Sequence, residues 1–99
     1  MSVEIGQTYT FKLNSGEELI TKVVAQAGVL LQIENPVSVA PGPQGMSLVV
    51  SMFTADPQAN TWLNIDNVSL YALTEDGVRM KYLEATTGIK VPEKKLILG

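Results

Sequence analysis

The residues of this 99-residue chain that could do chemistry are few. Two carboxylate pairs stand out, Glu17-Glu18 and Glu75-Asp76. Paired carboxylates can divide acid and base roles, as in glycoside hydrolysis. Glu17 and Glu18, however, adjoin the turn Asn14-Ser15-Gly16, and neighbours in a strand point to opposite faces. A solvated hairpin end accounts for them better. Glu75-Asp76 stand where a helical pattern begins, and negative charge there is favoured by the helix dipole. Ser15 and Ser51 have no base to activate them, because the chain has no His. It has no Cys either, which removes thiolate nucleophiles, disulfides and Cys-based metal sites. Without His the commonest transition-metal ligand is also gone. Asp56 and Asp66 could join a hard cation, but their spacing is unlike a calcium loop. The expectation is a protein that is not an enzyme and holds no metal or cofactor.

A second group could recognise something instead of transforming it. Asn64, Asp66 and Asn67 cluster around Ile65. Side-chain amides can read base edges, though Asx chemistry in a turn explains the same residues. Lys12 and Lys22 fall on outward positions of adjacent strands and could offer a small phosphate patch, or simply a solvated strand face. Trp62 is the sole tryptophan. It reads as core or interface before it reads as a stacking surface for a base, and Tyr9 and Tyr71 read the same way. Lys90, Lys94 and Lys95, with Glu93 among them, make a basic tail. Against all of these stands the charge: 7 Lys+Arg and 10 Asp+Glu leave −3. Tight non-specific binding to nucleic acid usually goes with a basic domain.

The elements that must position these residues are mostly strands. Hydrophobic residues are 45% of the chain and charged ones 17%, where about 25% charged is usual. A domain of this size buries only about 60–65% of its unfolded surface. The apolar surplus therefore calls for a partner surface or self-association. Tyr9, Phe11 and Leu13 alternate with Thr10 and Lys12, the period of a half-buried strand. Asn14-Ser15-Gly16 turns the chain, and Leu19–Ala25, rich in β-branched residues, returns as a second strand. Gln26-Ala27-Gly28 is a second tight turn before a third strand from Val29. Asn35-Pro36 interrupts that strand with a bulge, an edge or a bend. Pro41–Gly45 reads as a loop. Met46–Thr54 is a strand apolar on both faces, Trp62–Ile65 is short and extended, and Val68–Leu73 alternates again. One helix follows, over about 75–87, with Thr74 as N-cap and Gly88 as C-cap. Val78, Tyr82, Ala85 and Ile89 recur at helical spacing. Residues 90–99 form a tail. No run approaches the roughly 20 apolar residues of a membrane helix. The acidic opening, MSVEIG, lacks the apolar core of a signal peptide. One domain over 1–99, with no membrane and a cytoplasmic location, is the expectation.

The segment FKLNSGEELITKV, Phe11–Val23, resembles the first motif of the Sm-like (LSm) family, with Leu13, Gly16, Leu19 and Val23 at its positions. Ile65-Asp66-Asn67-Val68-Ser69-Leu70 is similar to the family's second motif. The Asn-Pro pair and the Asp-Asn-Val start of the last strand look like Sm-like proteins of tailed phages. The resemblance spans about residues 7–87. It departs from the family at Gln26-Ala27-Gly28, where an Asp, an aromatic and an Asn are usual, and at Asp66, near an expected glycine. The resemblance implies a mainly β protein: a small, strongly bent, five-stranded antiparallel barrel over about 7–73 with one C-terminal helix. It implies a homo-oligomeric ring of about five to seven subunits, closed by a repeated head-to-tail contact. Met46, Leu48, Val50 and Met52 of one subunit would meet Val68, Leu70 and Ala72 of the next. It also implies weak binding of single-stranded RNA or DNA through Asn64, Asp66, Asn67, Gln26, Lys12 and Lys22. The alternative is a structural or adaptor ring of a phage particle without nucleic-acid binding. If phage-encoded, the protein would act in the host cytoplasm.

Overall fold

A computed structural model describes residues 1–87. The expected Gly88 cap, Ile89 and the 90–99 tail with Lys90, Lys94 and Lys95 lie outside the described residues.

The alternation at the start of the chain becomes a hairpin. Strand β1 (Thr8–Leu13) pairs antiparallel with β2 (Glu18–Ala27), with Phe11 opposite Leu19. Gly16 makes their turn at φ +96°, a conformation L side chains rarely adopt. Strand β3 (Leu30–Gly42) runs back along β2 and passes straight through Asn35-Pro36. Between the pairs Ile20–Val37 and Lys22–Glu34, β3 carries one residue more than β2. That bulge places Asn35 at φ +53°. Asn tolerates the left-handed region better than most residues, so the Asn-Pro interruption is a bulge inside one long strand.

The remaining strands differ from the expectation in number and extent. Strand β4 (Gly45–Val50) folds back on β3, with Pro41 opposite Met46 and Gly42 opposite Gly45. The expected loop at 41–45 is therefore a two-residue hairpin turn, Pro43-Gln44. The strand ends at Val50, so Met52 and Phe53 lie beyond it, both exposed. Strand β5 (Thr61–Asn64) pairs with the first part of β3, residues 30–33. A 3-10 turn, Ile65–Asn67, leads into β6 (Val68–Leu73), which pairs with β1. The sheet thus has six antiparallel strands in the order β4-β3-β2-β1-β6, with β5 on β3 beside the path. Among the described residues it is not closed, so the expected barrel is an open sheet here; β4 and β6 end its path, and β5, like them, has one partner. The five strands implied by the Sm-like resemblance are six here, because β4 and β5 pair with the same side of β3, one after the other. The segment between them, 51–60, interrupts what would otherwise be a single strand.

Two apolar clusters occupy opposite faces. On one, Tyr9, Phe11, Leu19, Val23, Leu31, Ile33 and Leu63 are buried together. The N-terminal segment covers this cluster: Val3 packs on it, and the Ser2 and Glu4 backbone N–H groups donate to the Tyr71 and Tyr9 hydroxyls (3.1 and 2.8 Å). On the other face, Ile20 and Val37 meet Tyr82 of helix α1 (Asp76–Thr86), with Val39, Leu48, Val78 and Leu83 beside them. The helix cap is shifted from the expectation. Glu75, not Thr74, is the N-cap, its Oε1 accepting the Val78 N–H at 2.9 Å. Thr74 is drawn into the sheet instead, buried and hydrogen-bonded through Oγ1 to Thr10 Oγ1 at 3.0 Å. The last turn closes at Thr87, whose N–H donates to the Leu83 carbonyl.

Candidate functional site

Two features could act outward: the sheet edges and the turn at 64–67. Among the described residues, strand β4 pairs only with β3, and β6 only with β1, so within these residues each leaves one row of backbone groups without a strand partner. Both edges are apolar. Met46 and Val49 are exposed on or beside β4, and Leu70 and Leu73 on β6, with Leu70 68% exposed. Natural edge strands are usually blunted by charge, Pro or a cover, because a long apolar edge templates pairing with another chain. Of the expected interface residues, Met46, Met52, Leu70 and Ala72 are exposed. Leu48, Val50 and Val68 are half-buried, Leu48 and Val68 because they also pack on the two core clusters.

The 64–67 turn is built by amides. Asn64 Oδ1 accepts the Asp66 N–H at 2.9 Å, capping the 3-10 turn. Asn14, from the β1–β2 hairpin, ties the turn down three ways. Its backbone N–H donates to the Asn67 carbonyl (2.7 Å), its Nδ2 donates to the Asp66 carbonyl (2.9 Å), and its Oδ1 accepts from Ser69 Oγ (2.6 Å). The Ile65 N–H donates to the Val29 carbonyl at 2.9 Å, joining this turn to the β2–β3 turn. Asn64, Asp66 and Asn67 are therefore together and exposed. The organising residue, Asn14, is visible in the sequence only as a turn former; its partners lie more than fifty positions away.

The other expected recognition residues do not join that cluster as one basic patch. Lys12 lies opposite Glu18 on β2 and Leu70 on β6. Lys22 lies opposite Thr8 on β1 and Glu34 on β3. The two lysines share a face but are separated by the Thr10–Ile20 pair, about 13 Å along the strands. Each has a carboxylate directly across the ladder, so the face carries little net positive potential. Gln26, at the end of β2, donates to the Met1 carbonyl (3.3 Å) and is paired with Leu31.

Three other side chains bear on the site. Trp62, read as core or interface, is 45% exposed, across the ladder from Gln32. Tyr82, in contrast, is 2% exposed. Its hydroxyl accepts the Lys22 N–H (3.2 Å) and donates to the Glu34 carbonyl (2.9 Å), bridging the two strands at the bulge. Burial pushes its phenol up to about 12, against hydrogen bonds from Lys22 and Thr21 that pull the other way. Thr21, fully buried, donates to the same Glu34 carbonyl at 2.7 Å. At the bulge the Glu34 carbonyl is therefore bonded twice, by Thr21 and Tyr82.

Among the described residues no group of three or more His, Cys, Asp or Glu gathers to hold a metal, and no helix is long and apolar enough to cross a membrane. No protein-family model matches the chain, and a search of curated proteins gives no match.

Proposed function

We propose that the protein is a non-enzymatic, Sm-like subunit of a homo-oligomeric ring, used as a structural or adaptor element such as a phage particle employs. The observation that supports this reading is the pair of open, apolar edges at the two ends of one sheet, β4 and β6. Edges at opposite ends of the sheet path favour a head-to-tail contact, and such a contact repeated by rotation makes a ring. Pairing β4 of one copy with β6 of the next would satisfy both rows of backbone groups and cover Met46, Val49, Leu70 and Leu73. It would also use the apolar surplus that a domain of this size has no room to bury.

A second reading keeps the ring and adds weak binding of single-stranded RNA or DNA at its turns. It is favoured by one observation: the Ile65–Val29 hydrogen bond brings the 64–67 amides beside the Gly28 turn. Multiplicity around a ring would supply the affinity that single contacts lack. The opposed Lys12–Glu18 and Lys22–Glu34 pairs weigh against it.

Light scattering in solution tests the first reading, with an assembly of about five to seven subunits expected. A clean monomer removes the ring. Fluorescence anisotropy with U-rich and A-rich oligonucleotides at low salt separates the two readings. Saturable binding establishes the second, and its absence at about tens of micromolar subunit leaves assembly alone.

A further inference from the structure

The sole tryptophan stands on an unexpected surface. Leu31 and Leu63 are paired and buried in the first cluster, so their ladder neighbours Gln32 and Trp62 point to the opposite face. Directly opposed residues of an antiparallel pair hold their Cβ atoms about 5 Å apart. Gln32 Nε2 donates to Asn60 Oδ1 at 3.1 Å, which ties the two amides together on the face that Trp62 shares with Gln32. Among the described residues, Gln32 Oε1 and Asn60 Nδ2 have no further protein partner. One acceptor and one donor are thus presented side by side. The segment 57–61 arches over the β3 bulge and leaves an open cleft of about 350 Å³ against residues 32–35. Its side chains are mostly polar, among them Gln32, Glu34, Asn35, Gln58 and Asn60.

Trp62 does not line the cleft itself but stands across the ladder from Gln32, which does. We propose that a neutral carbohydrate binds along this edge of the cleft, with a sugar ring laid on the exposed Trp62 indole and a vicinal diol held by Gln32 and Asn60. The C–H groups on one face of a pyranose are apolar and slightly positive, and the indole face is large, apolar and negative. Each hydroxyl of a diol can both donate and accept, which matches one free amide acceptor beside one free amide donor. Glu34 lies on the same face and accepts from further hydroxyls. The charge balance separates this ligand from a polynucleotide. The nearest cation by register is Lys22, directly across from Glu34, so the face has no surplus charge to displace counterions from a phosphate backbone. The polar lining also separates it from a protein partner, whose contact core is depleted in such residues.

Because Trp62 is the sole tryptophan, its emission reports this face alone. The full chain is titrated separately with maltoheptaose, cellohexaose and chitohexaose. At least one saccharide is expected to shift the emission to the blue with saturation, unchanged between low and high salt. Gln32→Ala and Asn60→Ala should each weaken that binding about tenfold, with thermal unfolding by circular dichroism unaltered. Three results would overturn the proposal. One is no emission change with any of the three saccharides on a folded protein. Another is a response to oligo(dT) alone that salt abolishes, which would make Trp62 a base-stacking platform. The third is a blue shift that tracks protein concentration without saccharide, which would mean that a second copy covers the face. The ring is tested by light scattering, so the two ideas fail separately.

Discussion

Removing one hydroxyl at Tyr82 probes how the helix is locked to the sheet. Tyr82→Phe keeps the ring among Ile20, Val37 and Val78 but deletes the oxygen that accepts the Lys22 N–H and donates to the Glu34 carbonyl. The Glu34 carbonyl keeps the Thr21 hydroxyl, so its loss is small. The Lys22 N–H stands at the bulge and loses this partner. A buried donor left without one costs about 1–3 kcal/mol, and that is the expected destabilisation at neutral pH. The same hydroxyl makes a distinct prediction at high pH. Its folded pKa of about 12 lies above the ordinary value of 10, so between these the unfolded chain releases a proton that the folded chain retains. Stability from this group is fully present below pH 10 and is lost as pH rises toward 12. Two units correspond to about 3 kcal/mol. Urea unfolding followed by far-UV circular dichroism, at one fixed protein concentration, measures both effects. The wild type should lead the variant at pH 8, and the lead should shrink or reverse near pH 12. A variant within about 0.5 kcal/mol of wild type at pH 8, with a parallel alkaline profile, would refute the picture of a bridging, buried phenol.

Other perturbations read different parts of the structure. Asn35→Val should destabilise by about 1–3 kcal/mol in thermal or urea unfolding, because a β-branched residue is strained at φ +53°, whereas Asn35→Gly should be nearly neutral or stabilising. Glu75→Ala should cost about 1 kcal/mol through loss of the bond to the Val78 N–H; Thr74→Ala should instead act on the sheet, through Thr10, and leave helix fraying by hydrogen exchange unchanged. Phe11→Ala, at a fully buried site in the first cluster, should cost about 3–5 kcal/mol in urea unfolding. Leu70→Lys or Val49→Lys places a charge on an exposed edge; if the proposed ring forms, each should convert it to monomers by light scattering, with the far-UV spectrum unchanged.

Much of the architecture was legible because alternation is a local signal. The β1–β2 hairpin follows from Tyr9, Phe11 and Leu13 on one side of Gly16 and Leu19 and Val23 on the other. Strand β6 occupies the expected Val68–Leu73, and a helix follows the sheet. What was not legible depends on pairing between distant residues. Thr74 is a good N-cap by type, but its hydroxyl is taken by Thr10, sixty-four positions away, so Glu75 caps in its place. Pro41–Gly45 has the composition of a loop, yet Gly45 at φ +105° lets the chain reverse in two residues and resume pairing at once. Trp62 reads as core or interface, and it is not core, being 45% exposed. The parity of β5 is set by Leu63, which the core takes, and its neighbour is left outside.

The lysines show most clearly where residue types stop being informative. Lys12 and Lys22 were expected to face outward on adjacent strands, and they do. Whether they attract phosphate depends on what stands across the ladder, and that is a matter of register. On β1–β2 the register puts Glu18 against Lys12. On β2–β3 the extra residue at Asn35 shifts the pairing by one, which puts Glu34 against Lys22. The same bulge turns the Glu34 carbonyl toward Thr21 and Tyr82, and so it also decides where the helix docks. A single inserted residue thus sets a carboxylate against one cation, turns a carbonyl toward the helix, and lines the cleft beside the 57–61 segment. What is left uncompensated is apolar, at the edges and at Trp62. That distribution favours association through β4 and β6 and recognition of uncharged ligands over a polyanion.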